Sequence, residues 1–416
     1  MGRRVLWLIV GIAGIVLIPL GLGGGLVVLT LVPASGGTLT AADALPAAAM
    51  AALGLGLGVP LVLHGWAGVR AQVSRPFNPA HIGWLWLALV LLIGLGAAIG
   101  VLPWASPLFL APIHVLVMAL PPLIMLWVVG RALDGTGGGW REVVVAVAGG
   151  GVLGMGASLI GEVLVVVTVV AFVALVASTV PGGPERIAAL ARDLRDPAWQ
   201  GDSSNLFELL LSPAAVICIL GVFSILVPLI EESCKTLAAG VVARWIRPHA
   251  ARAFLWGVAG GAGFALVENM FSGALGGVEG WALGAVARFG TSVMHCLTGG
   301  LVGWGWGQLW TRRRPRYLLG AYAAAVAVHG LWNTAAMGVV LLGARAWIHE
   351  GRGTSLAVAG TGMMALTVLA VLVTVLFVFA LSFAGRRLAA TAEHAAHELA
   401  HLEDVAIPRS SGVSQI

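Results

Sequence analysis

The chain has 416 residues, of which 59% are hydrophobic and only 10% charged, with a formal net charge of +5. An average soluble domain carries about 25% charged residues, so water is excluded as the main solvent, and helix count replaces domain size as the measure of organisation. The positive charge lies on arginines clustered between apolar runs, which suits loops facing an anionic leaflet. No basic stretch is interleaved with stacking aromatics, which argues against nucleic acid as a partner.

The pattern predicts an all-α, polytopic transmembrane helix bundle. Ten spans are expected at 5–33, 46–66, 82–103, 106–130, 142–178, 212–243, 253–276, 281–310, 317–343 and 355–384. Met1-Gly2-Arg3-Arg4 opens the chain like a secretory signal, but the apolar run to Val32 is about twice a signal's length, which implies a retained first helix. The fifth span is too long for one simple crossing and invites a tilt, a break near Gly149-Gly150-Gly151, or a part lying outside the bilayer. Arg3 and Arg4, Arg70 and Arg75, Arg131 and Arg141, Arg244 with Arg247 and Arg252, Arg312 to Arg316, and Arg386 with Arg387 fall in alternate loops. By the positive-inside rule both termini are then cytoplasmic.

This divides the chain into N-terminal helices one to five (1–178), an external loop with amphipathic character (179–211), a core of helices six to nine (212–343), a last span (344–384) and a tail (385–416). The tail is expected to be helical from Ala389 to Asp404 and disordered from Pro408 to Ile416. Cys218, Cys234 and Cys296 all lie in apolar runs and read as small buried hydrophobes, without the spacing of a disulfide framework or a CxxC metal site.

Ionisable groups at membrane depth are costly and need a partner, a cavity or a function. They concentrate here on four successive helices: Glu231, Glu232 and Lys235 on the sixth, Glu268 beside Asn269 on the seventh, Arg288 and His295 on the eighth, His329 and Asn333 on the ninth. At 1.5 Å of rise per residue, Glu231, Glu268, His295 and His329 all fall roughly 18–24 Å from the cytoplasmic helix ends, in one layer. Residues three, four or seven apart share a helix face. Glu231 and Lys235 share one, Arg288, Ser292 and His295 another above Gly299, Gly303 and Gly307, and Tyr322, His329 and Asn333 a third. Pro228 removes a helix hydrogen bond one turn before Glu231. Lys235 is the one lysine against 22 arginines; with Arg288 it balances two of three carboxylates, leaving one negative charge for a divalent metal or a shared proton.

Glu231 to Lys235 reads EExxK, Phe264 to Asn269 FxxxEN, His295 opens an HxxxG, and His329 to Asn333 reads HxxxN. This set, covering about residues 225–335, resembles the PrsW family of intramembrane proteases, related to the CAAX-protease and bacteriocin-processing superfamily. The resemblance implies cleavage of membrane-anchored proteins, such as anti-sigma factors, in a bacterial plasma membrane. It also implies that the paired glutamates activate water and that the later Glu and His residues complete the site.

The residues admit this chemistry without the name. Peptide hydrolysis needs an activated water, a tuned base and oxyanion donors. Glu231 or Glu232 suits the base, Asn333 suits the oxyanion, and His295, His329 and Glu268 form a plausible zinc set with a position left for water. A metal-free mechanism, with His329 and Asn333 as donors and a glutamate as base, uses the same residues. The alternative from another class is a proton- or ion-coupled transporter, opposed by the lack of inverted repeats. His397-Glu398-Leu399-Ala400-His401 in the tail is a literal HExxH, but it lacks the folded pocket such a motif needs. His114 is expected to pack, and Glu162 on the fifth span is left open between simple burial and a pairing with Arg288 or His295. The oligomeric state is left open.

Overall fold

The computed structural model describes residues 3–34, 40–80, 83–102, 106–275, 280–348 and 353–406, so the expected disordered end Pro408–Ile416 lies outside them. Its helices are α1 (Arg3–Ala34), α2 (Ala41–Val69), α3 (Gly83–Gly100), α4 (Ser106–Ala132), α5 (Trp140–Ala148) and α6 (Met155–Ser178). The short α7 (Gly183–Asp193), α8 (Pro197–Gly201) and α9 (Ser203–Leu210) follow, then α10 (Pro213–Gly221), α11 (Val227–Cys234), α12 (Leu237–Ile246), α13 (Ala250–Leu275), α14 (Trp281–Arg312), α15 (Pro315–Ile348) and α16 (Gly353–Ala406). Two π-helical turns, Gly149–Gly154 and Val222–Leu226, join α5 to α6 and α10 to α11.

Among the described residues, nine helical stretches are long and apolar enough to cross a membrane, and the chain is a multi-pass membrane protein. They coincide with the expected spans except the eighth. That one, α14, is a helix of 32 residues, about 48 Å at 1.5 Å per residue, and so long enough to cross. It is too polar to register by hydropathy, because it buries Ser292, His295, Thr298, Gln308 and a run of glycines against its neighbours and spends few residues on lipid.

Burial separates centre from rim. In its most apolar window α13 is 83% buried, whereas none of the corresponding window of the α5–α6 stretch is, so α13 forms the axis and α6 faces lipid. The helices around the axis include α4, which buries Met118, Ile124 and Met125, and α14. On the rim, α1 and α2 form a hairpin whose backbones meet at glycines: a Cβ on Gly14 would lie 2.8 Å from the Val62 nitrogen, and one on Gly54 2.8 Å from the Gly21 Cα. Small residues let membrane helices approach this closely where no hydrophobic effect drives them together.

One open reading and two corrections concern continuity. The fifth span is resolved at the triple glycine by the π turn Gly149–Gly154. The sixth span is not one helix but three, with a π turn before Pro228 and a break at Lys235 and Thr236. The last span and the tail, expected to be separate, are one helix of 54 residues, since nothing between Gly385 and Ala406 interrupts a run rich in good helix formers.

The alternation of arginine loops predicts that Gly201 and Pro248 lie on opposite faces of the membrane. Reporter fusions after these two residues are expected to register opposite sides, and the same side for both would remove the crossing formed by α10 to α12.

Candidate active site

The break in the sixth span positions the first three polar side chains. Pro228, at the start of α11, has no N–H to give to the preceding turn, and the π turn Val222–Leu226 absorbs the mismatch. At the other end the helix parts at Thr236, whose hydroxyl accepts the indole N–H of Trp306 at 3.2 Å, while Trp310 donates to the Gly240 carbonyl at 3.0 Å. The backbone of Lys235 lies in a glycine cradle: a Cβ on Gly154 would sit 3.0 Å from its Cα, and one on Gly260 2.8 Å from its carbonyl oxygen. The charged side chain is thereby brought under the core of the bundle, where Lys235 is 1% exposed.

Glycines also set the distance between α13 and α14. Gly257 and Gly261 pack on the backbones of Gly299 and His295 with no room for a Cβ on either glycine. That contact puts Glu268 and His295 face to face. Asn269 reinforces it by donating to the Met118 carbonyl at 3.2 Å and to Ser292 Oγ at 2.9 Å, tying α4, α13 and α14 together. The sequence reading left Asn269 without this role, and its place beside Glu268 was the available signal.

His295 and His329 meet edge to face with ring centres 5.1 Å apart. Each ring has one nitrogen against a carboxylate: His295 Nε2 is 2.8 Å from Glu268 Oε2, and His329 Nδ1 is 2.8 Å from Glu232 Oε1. The opposite nitrogens converge on Glu231 Oε2, at 3.9 Å from His295 Nδ1 and 3.8 Å from His329 Nε2. Glu231, His295 and His329 are therefore a buried group whose ligand atoms all lie within 4.8 Å of one another. The sequence pattern pointed to Glu268 as the third member, and here the geometry differs. Glu268 is held by the Arg288 guanidinium, with both terminal nitrogens 2.7 Å from Oε1, and takes the outward nitrogen of His295.

The charge balance becomes specific. Lys235 Nζ is 2.7 Å from Glu232 Oε1 and Arg288 is paired with Glu268, so the surplus negative charge is left on Glu231. Glu231 Oε2 is buried and has no hydrogen-bond partner; neither has Glu232 Oε2. Lys235 Nζ also lies 2.7 Å from His295 Nδ1 and 5.0 Å from the centre of the Phe264 ring, which is itself 5.3 Å from that of His295. The side chains of Glu268 and Arg288 are 21% and 14% exposed against 9% for Glu231 and none for Glu232, so the cluster opens on the Glu268–Arg288 side.

Other expected residues lie apart from this group. Asn333 donates to the Phe223 carbonyl at 2.9 Å, fastening α15 to the π turn. Glu162, for which the sequence leaves open a pairing with Arg288 or His295, accepts the Ser158 hydroxyl at 2.6 Å. His114 packs as expected, with Nε2 3.0 Å from the Met270 carbonyl and Nδ1 accepting from Trp281 at 3.1 Å. In the tail, His394, His397 and Glu398 are exposed on α16, and the side chain of His401 lies outside the described residues.

Carboxylates and imidazoles gathered among membrane helices belong either to a membrane-embedded hydrolase or to an ion path, and comparison with known proteins separates the two. Residues 138–349, about half of the chain, match the family model described as PrsW family intramembrane metalloprotease. The chain belongs to this family and is an intramembrane protease, which retires the transporter alternative. No curated protein and no solved structure matches it.

Proposed function

We propose that the protein is an intramembrane endopeptidase in which Glu231, His295 and His329 hold a divalent metal, zinc by donor type, and Glu232 is the base that activates water. The observation that carries this reading is the unbonded, buried Oε2 of Glu231 facing two inward imidazole nitrogens. Two imidazoles and one carboxylate are a common catalytic zinc set, and carboxylates on the far nitrogens of such histidines are its usual outer support. With the ion in place, the group would polarise the peptide carbonyl and ease deprotonation of water.

The remaining work falls to the chain itself. Glu268, fixed by Arg288, holds His295 as the tautomer that carries its proton on Nε2 and turns the Nδ1 lone pair inward. Glu232 does the same for His329 through Nδ1. Its Oε1 is fixed by Lys235 and His329 while Oε2 is unbonded, which leaves that oxygen to take the water's proton. We assign Asn333 to securing the π turn in place of the oxyanion. Substrates would be membrane-anchored proteins, anti-sigma factors among them, cut in a bacterial plasma membrane with both termini of the protease cytoplasmic.

A second reading is favoured by one contact, Lys235 Nζ to His295 Nδ1 at 2.7 Å: the lysine completes the cluster and a glutamate acts without metal. Chelation decides between them. Treatment with 1,10-phenanthroline is expected to stop cleavage of a membrane-anchored reporter by purified protein in detergent, and added zinc to restore it. Full activity in metal-stripped protein would establish the metal-free mechanism.

A further inference from the structure

We propose that Lys235 is a built-in competitor for the cation site, its ammonium contending with the metal for one lone pair on His295 and so setting how tightly the site loads. The inference rests on the metal reading above. With its Nε2 proton given to Glu268, the His295 imidazole has a single acceptor position left, Nδ1. Lys235 Nζ stands 2.7 Å from that nitrogen. A metal bonded to the same nitrogen would sit about 2.0–2.1 Å from it, and one lone pair cannot serve both. Nor do two cations share so small a space cheaply in a layer that excludes water.

Neutralising Glu232 alone does not require this geometry. The contact with Glu232 Oε1 at 2.7 Å would do that without Nζ also approaching His295. The second contact lets the ammonium reach toward Glu231 as well, whose Oε2 is 3.9 Å away, so one cation serves both carboxylates and one imidazole. When a metal takes Nδ1, Lys235 keeps Glu232 and gives up His295. The backbone need not move, because Gly154 and Gly260 cradle it and the flexible four-carbon stem can absorb the shift. Aliphatic methionine in place of Lys235 would keep much of the stem and remove the rival.

The test is zinc affinity, measured on purified full-length protein in detergent by competition with a chromogenic chelator. Lys235→Met is expected to bind zinc at least ten-fold more tightly than wild type, and His295→Ala to lose high-affinity binding. Zinc bound by Lys235→Met with equal or weaker affinity than wild type would overturn the proposal and leave the metal reading standing. Zinc bound by neither would overturn both. Should Lys235→Met fail to fold because Glu232 is left uncompensated, the comparison moves to Glu232→Gln against Glu232→Gln/Lys235→Met, which removes the buried pair as a unit. The double variant is then expected to bind at least ten-fold more tightly than the single, and equal or weaker binding would overturn the proposal.

Discussion

Glu231→Gln and Glu232→Gln are both expected to abolish cleavage of a membrane-anchored reporter, but only the first should also release the metal. The two residues are adjacent in sequence and both buried, yet they face different partners. Glu231 presents an unbonded oxygen to two inward imidazole nitrogens, so a neutral amide there would remove one of the three proposed ligands. Glu232 instead spends one oxygen on Lys235 and His329 and keeps the other free. Its amide variant should lose a general base, a loss of about 10²–10⁴-fold, while zinc content stays near one per chain. Metal analysis beside a cleavage assay reads both quantities. Glu398→Gln, or deletion from Ala389, supplies the contrast: an exposed glutamate on a helix that continues the last span should leave cleavage unchanged. Zinc retained by Glu231→Gln, or a dead tail variant beside active helix-six variants, would reassign the site.

The layer of the site could be read from residue spacing because helical rise converts sequence distance into depth, and four helices brought their polar residues to one level. Pairing could be read in part. That Lys235 meets the paired glutamates and that Arg288 balances a second carboxylate follow from charge alone, whereas the choice of Glu268 as the partner of Arg288 comes from the structure. Which carboxylate joins the imidazoles did not follow. That choice depends on which nitrogen of His295 faces inward, and the rotation of α14 against α13 is fixed by backbone contact at Gly257, Gly261 and Gly299. The break after Cys234 was also hidden. No proline or glycine marks it, and the tryptophans that bind the interrupted backbone, Trp306 and Trp310, lie about 70 residues away in sequence. Conversely, the polarity that identified α14 as part of the site is what keeps it from registering as a span by hydropathy.

Gly261→Ala is expected to damage the enzyme far more than Gly284→Ala, although both exchange the same residues within membrane helices. In an exposed helix the exchange alone stabilises by about 1 kcal/mol, since glycine is the poorer helix former. Gly284 has open space where a Cβ would stand, so that gain should be kept and the thermal midpoint in detergent should hold or rise slightly. At Gly261 a Cβ would strike the carbonyl group of His295, with its carbon at 2.8 Å and the Cα of Cys296 at 3.3 Å. These are backbone atoms and cannot turn aside as a side chain would. The helices must therefore part, at a cost of about 1–3 kcal/mol typical of overpacking. Parting also lengthens the 2.8 Å contact between His295 Nε2 and Glu268, which in the proposed mechanism keeps the Nδ1 lone pair turned inward. Gly261→Ala should accordingly lower the midpoint and weaken zinc binding together, whereas Gly284→Ala should change neither adversely. Equal midpoints for the two variants, with zinc affinity intact in both, would mean that the contact between α13 and α14 does not position the site.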